Sequence, residues 1–207
     1  MVAWTGVFIQ YRLEWPLHLI LNRECMGVYN RLFGFLAHTK RVGFELERVW
    51  PALMQNCYRR LPTRDNTWLG PMWSLRANMA FFVTNLTFYL QVDVVEVEYS
   101  LLQRTVSAAE DFEGVRRAHN HFLSTLRAKF FLDNFAIKES MRRLLRLVLG
   151  FCCLFNLHSD AVDLPKGEVQ ALKTAFEEEI LFIFPTLERL AKELAMRLDY
   201  NGHYSNH

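Results

Sequence analysis

The sequence predicts an all-α fold, an elongated bundle of about five long amphipathic helices preceded by a short N-terminal extended segment. Three observations lead to this prediction. Apolar residues recur in steps of three and four over long stretches, and clusters of proline and turn residues separate those stretches. Of the 207 residues, 51% are hydrophobic, which is enough to build a substantial core. No internal repeat or domain boundary is visible, so we expect residues 1–207 to form one domain.

The N-terminal segment has the alternating pattern of a half-buried strand. Ile9, Tyr11, Leu13 and Trp15 are apolar, polar residues lie between them, and Pro16 ends the pattern. A single strand cannot satisfy its backbone hydrogen bonds, and nothing later in the chain clearly supplies a partner. We therefore expect the partner strand to lie upstream of this sequence.

Two long helices are predicted next. Asn22 is a suitable N-cap for the first, whose apolar positions run from Val28 to Leu53, and Pro51 is expected to end or kink it. Residues 59–71 have the composition of a loop. The second helix carries one continuous apolar stripe, formed by Met79, Val83, Leu86, Leu90, Val94, Val97 and Leu101.

Three further helices complete the predicted bundle. Asp111 caps the third, whose stripe is Val115, His119, Phe122, Leu126 and Phe130. The fourth has its stripe from Ile137 to Phe155, and a turn cluster containing Pro165 separates it from the fifth. The fifth keeps the helical period from Val169 to Leu194, with an expected kink at Pro185.

Composition and spacing exclude several kinds of site. The balance of 24 basic and 22 acidic residues creates no general field for nucleic acid or an anionic membrane. The longest apolar stretch, Leu147 to Phe155, is far shorter than the ~20 residues of a membrane span, and no signal peptide is visible. The four cysteines show no metal-ligand spacing and favour a reducing compartment. We predict no cofactor, no metal and no catalytic site.

Individual polar clusters are interpreted as structural. His119 and His121 point to nearly opposite faces of a helix, so His119 is expected to be buried against a backbone carbonyl or carboxylate, and His121 to be solvated or available to a partner. The run Glu177–Glu179 is expected to be solvated, and Cys152 and Cys153 to belong to the core. Two short basic clusters, at residues 59–64 and 142–146, favour solvated or protein-contacting arginines over a phosphate track.

The order of several motifs resembles one family. A signature block comprises Trp73–Val83 and its continuation Tyr89–Glu96, and it is accompanied by the segments Glu14–His18, His119–Leu123 and Arg197–Asn201. Taken together, these motifs resemble the carboxy-terminal domain of the gamma-tubulin complex components, and component four most of all. The resemblance runs in register from about Trp4 to about Tyr204. Within the block, Trp73, Met79, Val83 and Leu90 are expected to be mainly core.

The resemblance implies a function in protein assembly. It implies that the chain binds gamma-tubulin within a complex that contains other gamma-tubulin complex components and nucleates microtubules at centrosomes, spindle poles and other organising centres of the cytoplasm. Members of the family are longer and have a separate amino-terminal domain for lateral contacts, so we expect that domain to be missing here. The candidate partner-binding residues are Arg76, Asn78, Asp93, Glu96, His121, Arg197, Asp199 and Tyr200. Each also has a structural interpretation, and for Arg76, Asn78, Asp93 and Glu96 the pattern favours an intramolecular bond that fixes helix register.

Three alternatives remain at this point. The chain could be a helical interaction fragment that keeps the fold but has lost nucleation through truncation. An isolated helical enzyme or ligand carrier would need polar groups converging in an apolar pocket, and a nucleic-acid binder would lose affinity steeply with salt. The last two do not account for the ordered motifs.

Overall fold

The computed structural model describes residues 7–60, 69–157 and 166–199, with side chains in those ranges except at 52–60, 69, 156–157 and 166. The described residues contain helices and no strand, which confirms the all-α prediction. After a 3-10 turn at Leu17–Leu19, the helices are α1 (Arg23–Arg60), α2 (Leu69–Phe88), a π-helix (Tyr89–Glu96), α3 (Val97–Ser107), α4 (Phe112–Lys129), α5 (Phe135–Leu157), α6 (Lys166–Leu190) and α7 (Lys192–Leu198). Because α2, the π-helix and α3 are continuous, the described residues form five long helical runs followed by one short helix.

The chain divides into two compact units. The first unit comprises Met1–His38 and Thr87–Lys138, and the second comprises Thr39–Leu86 and Glu139–His207. Helix α1 and the continuous run 69–107 each contribute residues to both units.

In the first unit, side-chain caps start the helices where the sequence predicts. The Asn22 side chain accepts a hydrogen bond from the Cys25 N–H at 2.9 Å, and Asp111 accepts one from the Gly114 N–H at 2.6 Å. Helix α4 ends at Lys129, and two residues later Phe131 has a left-handed backbone with φ of 59° and stacks on Tyr89 with ring centroids 6.1 Å apart. No glycine in the sequence signals this helix end.

The second unit has an apolar core that follows the predicted stripes. Met79, Leu86 and Leu144 are completely buried, and Phe82 packs edge-on against Phe176 with ring centroids 5.9 Å apart. The predicted stripes of the fourth and fifth helices are largely confirmed, although Leu190 is 49% exposed.

Helix α1 passes through Pro51 and continues to Arg60, so the first of the two expectations for this proline, that it ends the helix, is wrong, while a kink at Pro51 stays a prediction. Val42, Leu46 and Val49, which precede the proline, are each at most 2% exposed, and their burial stabilises the helix at this point. The predicted loop at residues 59–71 shortens accordingly, because residues 59–60 and 69–71 are helical and residues 61–68 lie outside the described part of the chain.

The π-helix changes the phase of the second predicted helix. An ideal α-helix rotates by ~100° per residue, which would place Val97 about 20° and Glu98 about 80° from Leu90 around the axis. Instead, Val97 is 54% exposed and Glu98 is 6% exposed. A π-helix has more residues per turn, so each residue after it lies where the preceding residue of an uninterrupted α-helix would lie around the axis. The predicted stripe is therefore correct up to Val94 and wrong at Val97 and Leu101, which face outward.

The N-terminal segment is not a half-buried strand. Residues 7–14 form no helix, turn, bend or strand, and Tyr11 and Trp15 are 67% and 80% exposed. The alternating pattern correctly indicated an extended segment but not its burial, because no described strand lies beside it.

The continuous helix Gly70–Ser107 is long and apolar enough, by length and composition alone, to cross a membrane. Its most apolar 18-residue window has a mean hydropathy of 1.2 and is 33% buried. The expectation that no segment reaches spanning length therefore fails on this measure, although the core helix of a soluble protein meets the same criteria.

Candidate protein-interaction site

An aromatic and cationic cluster lies on the second unit, where α1 and α2 meet. The Arg76 guanidinium carbon is 4.5 Å from the centroid of the Trp50 ring, and the Trp50 and Trp73 rings are 6.3 Å apart. Trp50 and Trp73 are 40% and 39% exposed. We call these three residues the Trp-Arg cluster.

Helical spacing explains why the cluster forms. Trp73 and Arg76 are three residues apart and therefore neighbours on the surface of α2. Met72 and Leu75, which lie beside them in the sequence, are at most 1% exposed. The buried face of α2 fixes the orientation of the helix, and that orientation holds Trp73 and Arg76 at the edge of the core.

The guanidinium of Arg76 has unused hydrogen-bonding capacity. Its Nε atom is buried and has no hydrogen-bond partner among the described residues. Burial lowers the pKa of Arg76 from its usual value, while Cys152 and Glu47 act in the opposite direction. An arginine side chain stays protonated in proteins regardless. The buried Nε is out of a partner's reach, but the Arg76 side chain as a whole is only half-buried, so a partner's carboxylate or carbonyl can approach the part of the cation that faces solvent. Tryptophan and arginine are enriched where protein interfaces bind most strongly.

The sequence prediction found only part of the cluster. Arg76 was a candidate, Trp50 was missed, and Trp73 was expected to be core, which is wrong because its side chain is more than a third exposed. The spacing of the apolar residues on α2 does indicate that Trp73 is exposed. Extending the stripe back from Met79 gives Leu75 and Met72, which places Trp73 about 100° away from Met72.

The remaining candidate residues of the second unit are dispersed. Asn78 is exposed on α2, Arg197 is half-buried on α7, and Asp199 is half-buried just after α7. Tyr200 lies outside the described residues. None of these three described residues is part of the Trp-Arg cluster.

The candidates of the first unit lie on two elements. Asp93 and Glu96 belong to the π-helix, where Asp93 is half-buried and Glu96 is exposed, and His121 is exposed on α4. The structure therefore places the candidate residues in two separate units. The adjoining surface of α3 also exposes Val97, Tyr99 and Leu101, each about half exposed.

His119 is buried as predicted, but its partner differs from the expected backbone carbonyl or carboxylate. Its Nε2 atom lies 3.0 Å from the hydroxyl of Tyr29, and its Nδ1 atom has no partner among the described residues. Burial lowers the pKa of His119, and burial together with nearby Cys25 raises the pKa of Tyr29 to about 12. Within the described ranges, no group of three or more His, Cys, Asp or Glu residues is arranged to hold a metal ion.

Helices α5 and α6 form a cavity of about 570 Å³ in the second unit, lined by Arg143, Arg146, Leu147, Leu172, Ala175, Glu178, Glu179 and Phe182. The Glu179 side chain is only 14% exposed and lies 3.7 Å from Arg143, so the expectation that the whole run Glu177–Glu179 is solvated is wrong at this residue. Arg142 and Arg146 pair with Glu139 at 3.9 and 2.7 Å. The basic cluster at 142–146 is thus engaged in ion pairs within the chain.

Comparison with known proteins adds a second line of evidence. The family model described as gamma tubulin complex component C-terminal matches residues 1–204. Gamma-tubulin complex component 4 of Mus musculus is 32% identical over 98% of this chain, and the human protein of the same name gives the same values. Gamma-tubulin complex component 3 homolog of Xenopus laevis is 27% identical over 85% of the chain. The chain spans 31% of the length of the mouse and human proteins.

Proposed function

This chain belongs to the gamma-tubulin complex component family, whose carboxy-terminal domain it matches, and on that basis we propose that it binds gamma-tubulin as a subunit of a gamma-tubulin complex. The proposal extends to the other components of such a complex as partners, and to microtubule-organising centres of the cytoskeleton, including spindle poles, as its location. It assigns no chemical reaction to the chain.

The observation that carries the proposal is the position of Arg76. This residue belongs to the signature block that underlies the family resemblance, and its half-buried cation lies beside two tryptophans that are 40% and 39% exposed. Two half-exposed tryptophans beside a cation offer a large, rigid contact area at low cost in side-chain entropy. We infer that an acidic or carbonyl-rich surface of gamma-tubulin docks on this cluster.

The proposed role in nucleation is geometric. A helical unit with a buried apolar core presents its docking residues in fixed positions and so fixes the orientation of one bound gamma-tubulin. Several such subunits held side by side would raise the local concentration of correctly oriented gamma-tubulin, which lowers the entropic cost of starting a filament.

Binding of the purified chain to gamma-tubulin tests the proposal. We expect selective binding over alpha/beta-tubulin that survives raised salt, and a loss of about tenfold or more in affinity for Trp73→Ala and Arg76→Ala, as is usual for central interface residues. Arg48→Ala is the matched control, because Arg48 is an arginine of the same unit whose side chain is 78% exposed and pairs with Glu45.

Circular dichroism establishes that each variant is folded. Absence of gamma-tubulin binding by the folded parent chain would overturn the proposal. Binding that is equally reduced by Arg48→Ala and Arg76→Ala would show that the Trp-Arg cluster is not the docking site.

A further inference from the structure

Helix α3 carries two stripes of residues at helical spacing, offset from each other by one residue. The outer stripe, whose members are all exposed, consists of Val97, Leu101, Thr105 and Ala108. The inner stripe, whose members are all buried or half-buried, consists of Glu98, Leu102, Val106 and Ala109. Each stripe contains one valine, one leucine and one alanine, so either stripe has the composition to form the inner face of the helix.

The π-helix determines which stripe faces inward. Its start is fixed to the end of α4 and the turn after it, because the Tyr89 ring stacks on Phe131 and the Tyr89 hydroxyl donates to the Lys129 carbonyl at 3.2 Å. An uninterrupted α-helix with the same start would turn α3 by ~100° and place Val97 where Glu98 now lies around the axis. The outer stripe would then face inward.

One ion pair supports the present register of α3. The Lys129 ammonium donates to the Glu98 Oε1 at 2.7 Å, and the Glu98 side chain is 8% exposed. A carboxylate buried to this degree needs such a partner. In two other respects the present register is unfavourable, because it requires the rarer π-helix and leaves Val97 and Leu101 about half exposed. The balance between the two registers therefore depends on Lys129.

We propose that α3 is a two-register helix and that the charge of Lys129 sets its register. When Lys129 is neutralised or engaged by another anion, the π-helix converts to an α-helix and Val97 becomes buried. Glu98 then moves to the exposed position that Tyr99 now holds. Helix register shifts of this kind are one of the ways in which proteins switch between two packed arrangements.

The switch would change the surface that α3 presents to a partner. The Lys129 side chain is 38% exposed, so an acidic group of a partner can reach it. Pairing of that group with Lys129 would release Glu98 and exchange the outer stripe for the inner stripe on the exposed face. A contact at the end of α4 would thereby control the apolar surface of α3.

Thiol labelling of Val97→Cys tests the proposal. Position 97 is 54% exposed in the present register and buried in the alternative one. Adding Lys129→Met removes the cation, so we expect labelling at position 97 to slow at least about fivefold as the alternative register becomes populated. Peptide mass spectrometry separates this label from labels on the native cysteines, and circular dichroism establishes that each variant is folded.

Two controls separate a change of register from other effects of Lys129→Met. Tyr99→Cys should label at the same rate within about twofold, because position 99 is 52% exposed and would move to the position of Ser100, which is also exposed. Deletion of Gln91 removes one residue from the π-helix and so fixes Glu98 on the inner face of an ordinary α-helix. In that background Lys129→Met should leave the labelling of Val97→Cys unchanged.

A second variant keeps the test decisive if Lys129→Met does not fold. Glu98→Lys places a like charge opposite Lys129, which excludes position 98 from the inner face and should slow the labelling of Val97→Cys as well. Unchanged labelling at position 97 in a folded variant would overturn the proposal. Faster labelling at both 97 and 99 would also overturn it, because α3 would then unfold rather than turn. Loss of folding in both variants would mean that α3 has no second register.

The inference does not depend on the proposed function. Its experiments use the chain alone, and the π-helix, α3 and α4 lie in the first unit, whereas the Trp-Arg cluster lies in the second. A failure of gamma-tubulin binding therefore leaves the labelling test intact, and the reverse also holds.

Discussion

The two compact units differ in how their cores accommodate polar side chains. Among the described residues, the buried polar residues of the second unit are Thr39 and Ser140, whereas those of the first unit are Glu98 and His119. A hydroxyl can be buried at low cost because a nearby helix carbonyl satisfies it. A carboxylate or an imidazole needs a specific partner, so the first unit depends on particular pairings that the second unit does not require.

The pairings of the first unit join residues that are distant in the sequence. Lys129 donates to the Glu98 Oε1 at 2.7 Å, 31 residues away, and the Tyr89 hydroxyl donates to the Lys129 carbonyl at 3.2 Å. The Tyr29–His119 pair spans 90 residues. The π-helix takes part in this arrangement, because its phase shift turns Glu98 inward. The buried polar contacts of the first unit therefore depend on the π-helix, because without its phase shift Glu98 would not face the core.

The largest expected effect comes from single-residue deletions in the continuous helix. Removing Thr84 from α2 would rotate every later residue by ~100° and misalign the helix with its neighbours, so we expect loss of cooperative folding. Removing Gln91 from the π-helix would instead allow an ordinary α-helix that keeps Glu98 on the inner face. We expect this second variant to retain a cooperative thermal transition by circular dichroism.

The two deletions control for each other, because each removes one polar residue from the same helix. If both variants unfold alike, the π-helix does not act as a one-residue insertion. If the Thr84 deletion is tolerated, the packing of α2 is less specific than its complete burial at Met79 and Leu86 indicates.

A smaller effect is expected from removing one cation in each unit. The Lys129–Glu98 and Arg146–Glu139 pairs have the same 2.7 Å distance, but the Glu98 side chain is 8% exposed and that of Glu139 is 27% exposed. Lys129→Met leaves a buried carboxylate without its partner and should lower the free energy of unfolding by about 1–3 kcal/mol. Arg146→Met should cost no more than about 1 kcal/mol, since that arginine is 63% exposed.

Urea denaturation of the two variants measures this difference. A second substitution, Glu98→Gln, should recover part of the loss caused by Lys129→Met, because the unpaired charge is then absent. Equal losses for Lys129→Met and Arg146→Met would show that the two units do not differ in their dependence on ion pairs.

The sequence could predict features that depend on residues within one helix, but not the contacts between residues that are distant in the sequence. Helical spacing identified the apolar stripes of the second unit, and local capping chemistry identified Asn22 and Asp111, because both signals depend on residues within one helix. The π-helix carries no local signature, so the stripe was extended past Val94 with the wrong phase. The partners of Glu98 and His119 were out of reach because tertiary packing alone brings them together.

The candidate site shows the same limit. Arg76 was identified from the signature block, but its neighbour Trp50 comes from another helix, and only the packing of α1 against α2 brings the two within 4.5 Å. A sequence pattern can show that Trp73 lies off the buried stripe. It cannot show which residue of a second helix will lie beside it.

The smallest expected effect is a pH dependence confined to the first unit. Burial lowers the pKa of His119 below that of the unfolded chain, which is ~6.5, so the unfolded state takes up protons first as the pH falls. The stability provided by the neutral His119 is therefore complete above that pH and is lost progressively as the pH falls from ~6.5 toward the folded pKa, with a slope of at most about 1.4 kcal/mol per pH unit.

His119→Gln keeps a group that can bond to the Tyr29 hydroxyl but does not titrate, so its unfolding free energy should fall less between pH 7 and pH 5 than that of the parent. His121→Gln, on the exposed face of the same helix, is the control and should follow the parent profile. If His119→Gln leaves the dependence of the unfolding free energy on pH unchanged, other groups cause the loss of stability in acid, and protonation of the buried imidazole does not destabilise the first unit.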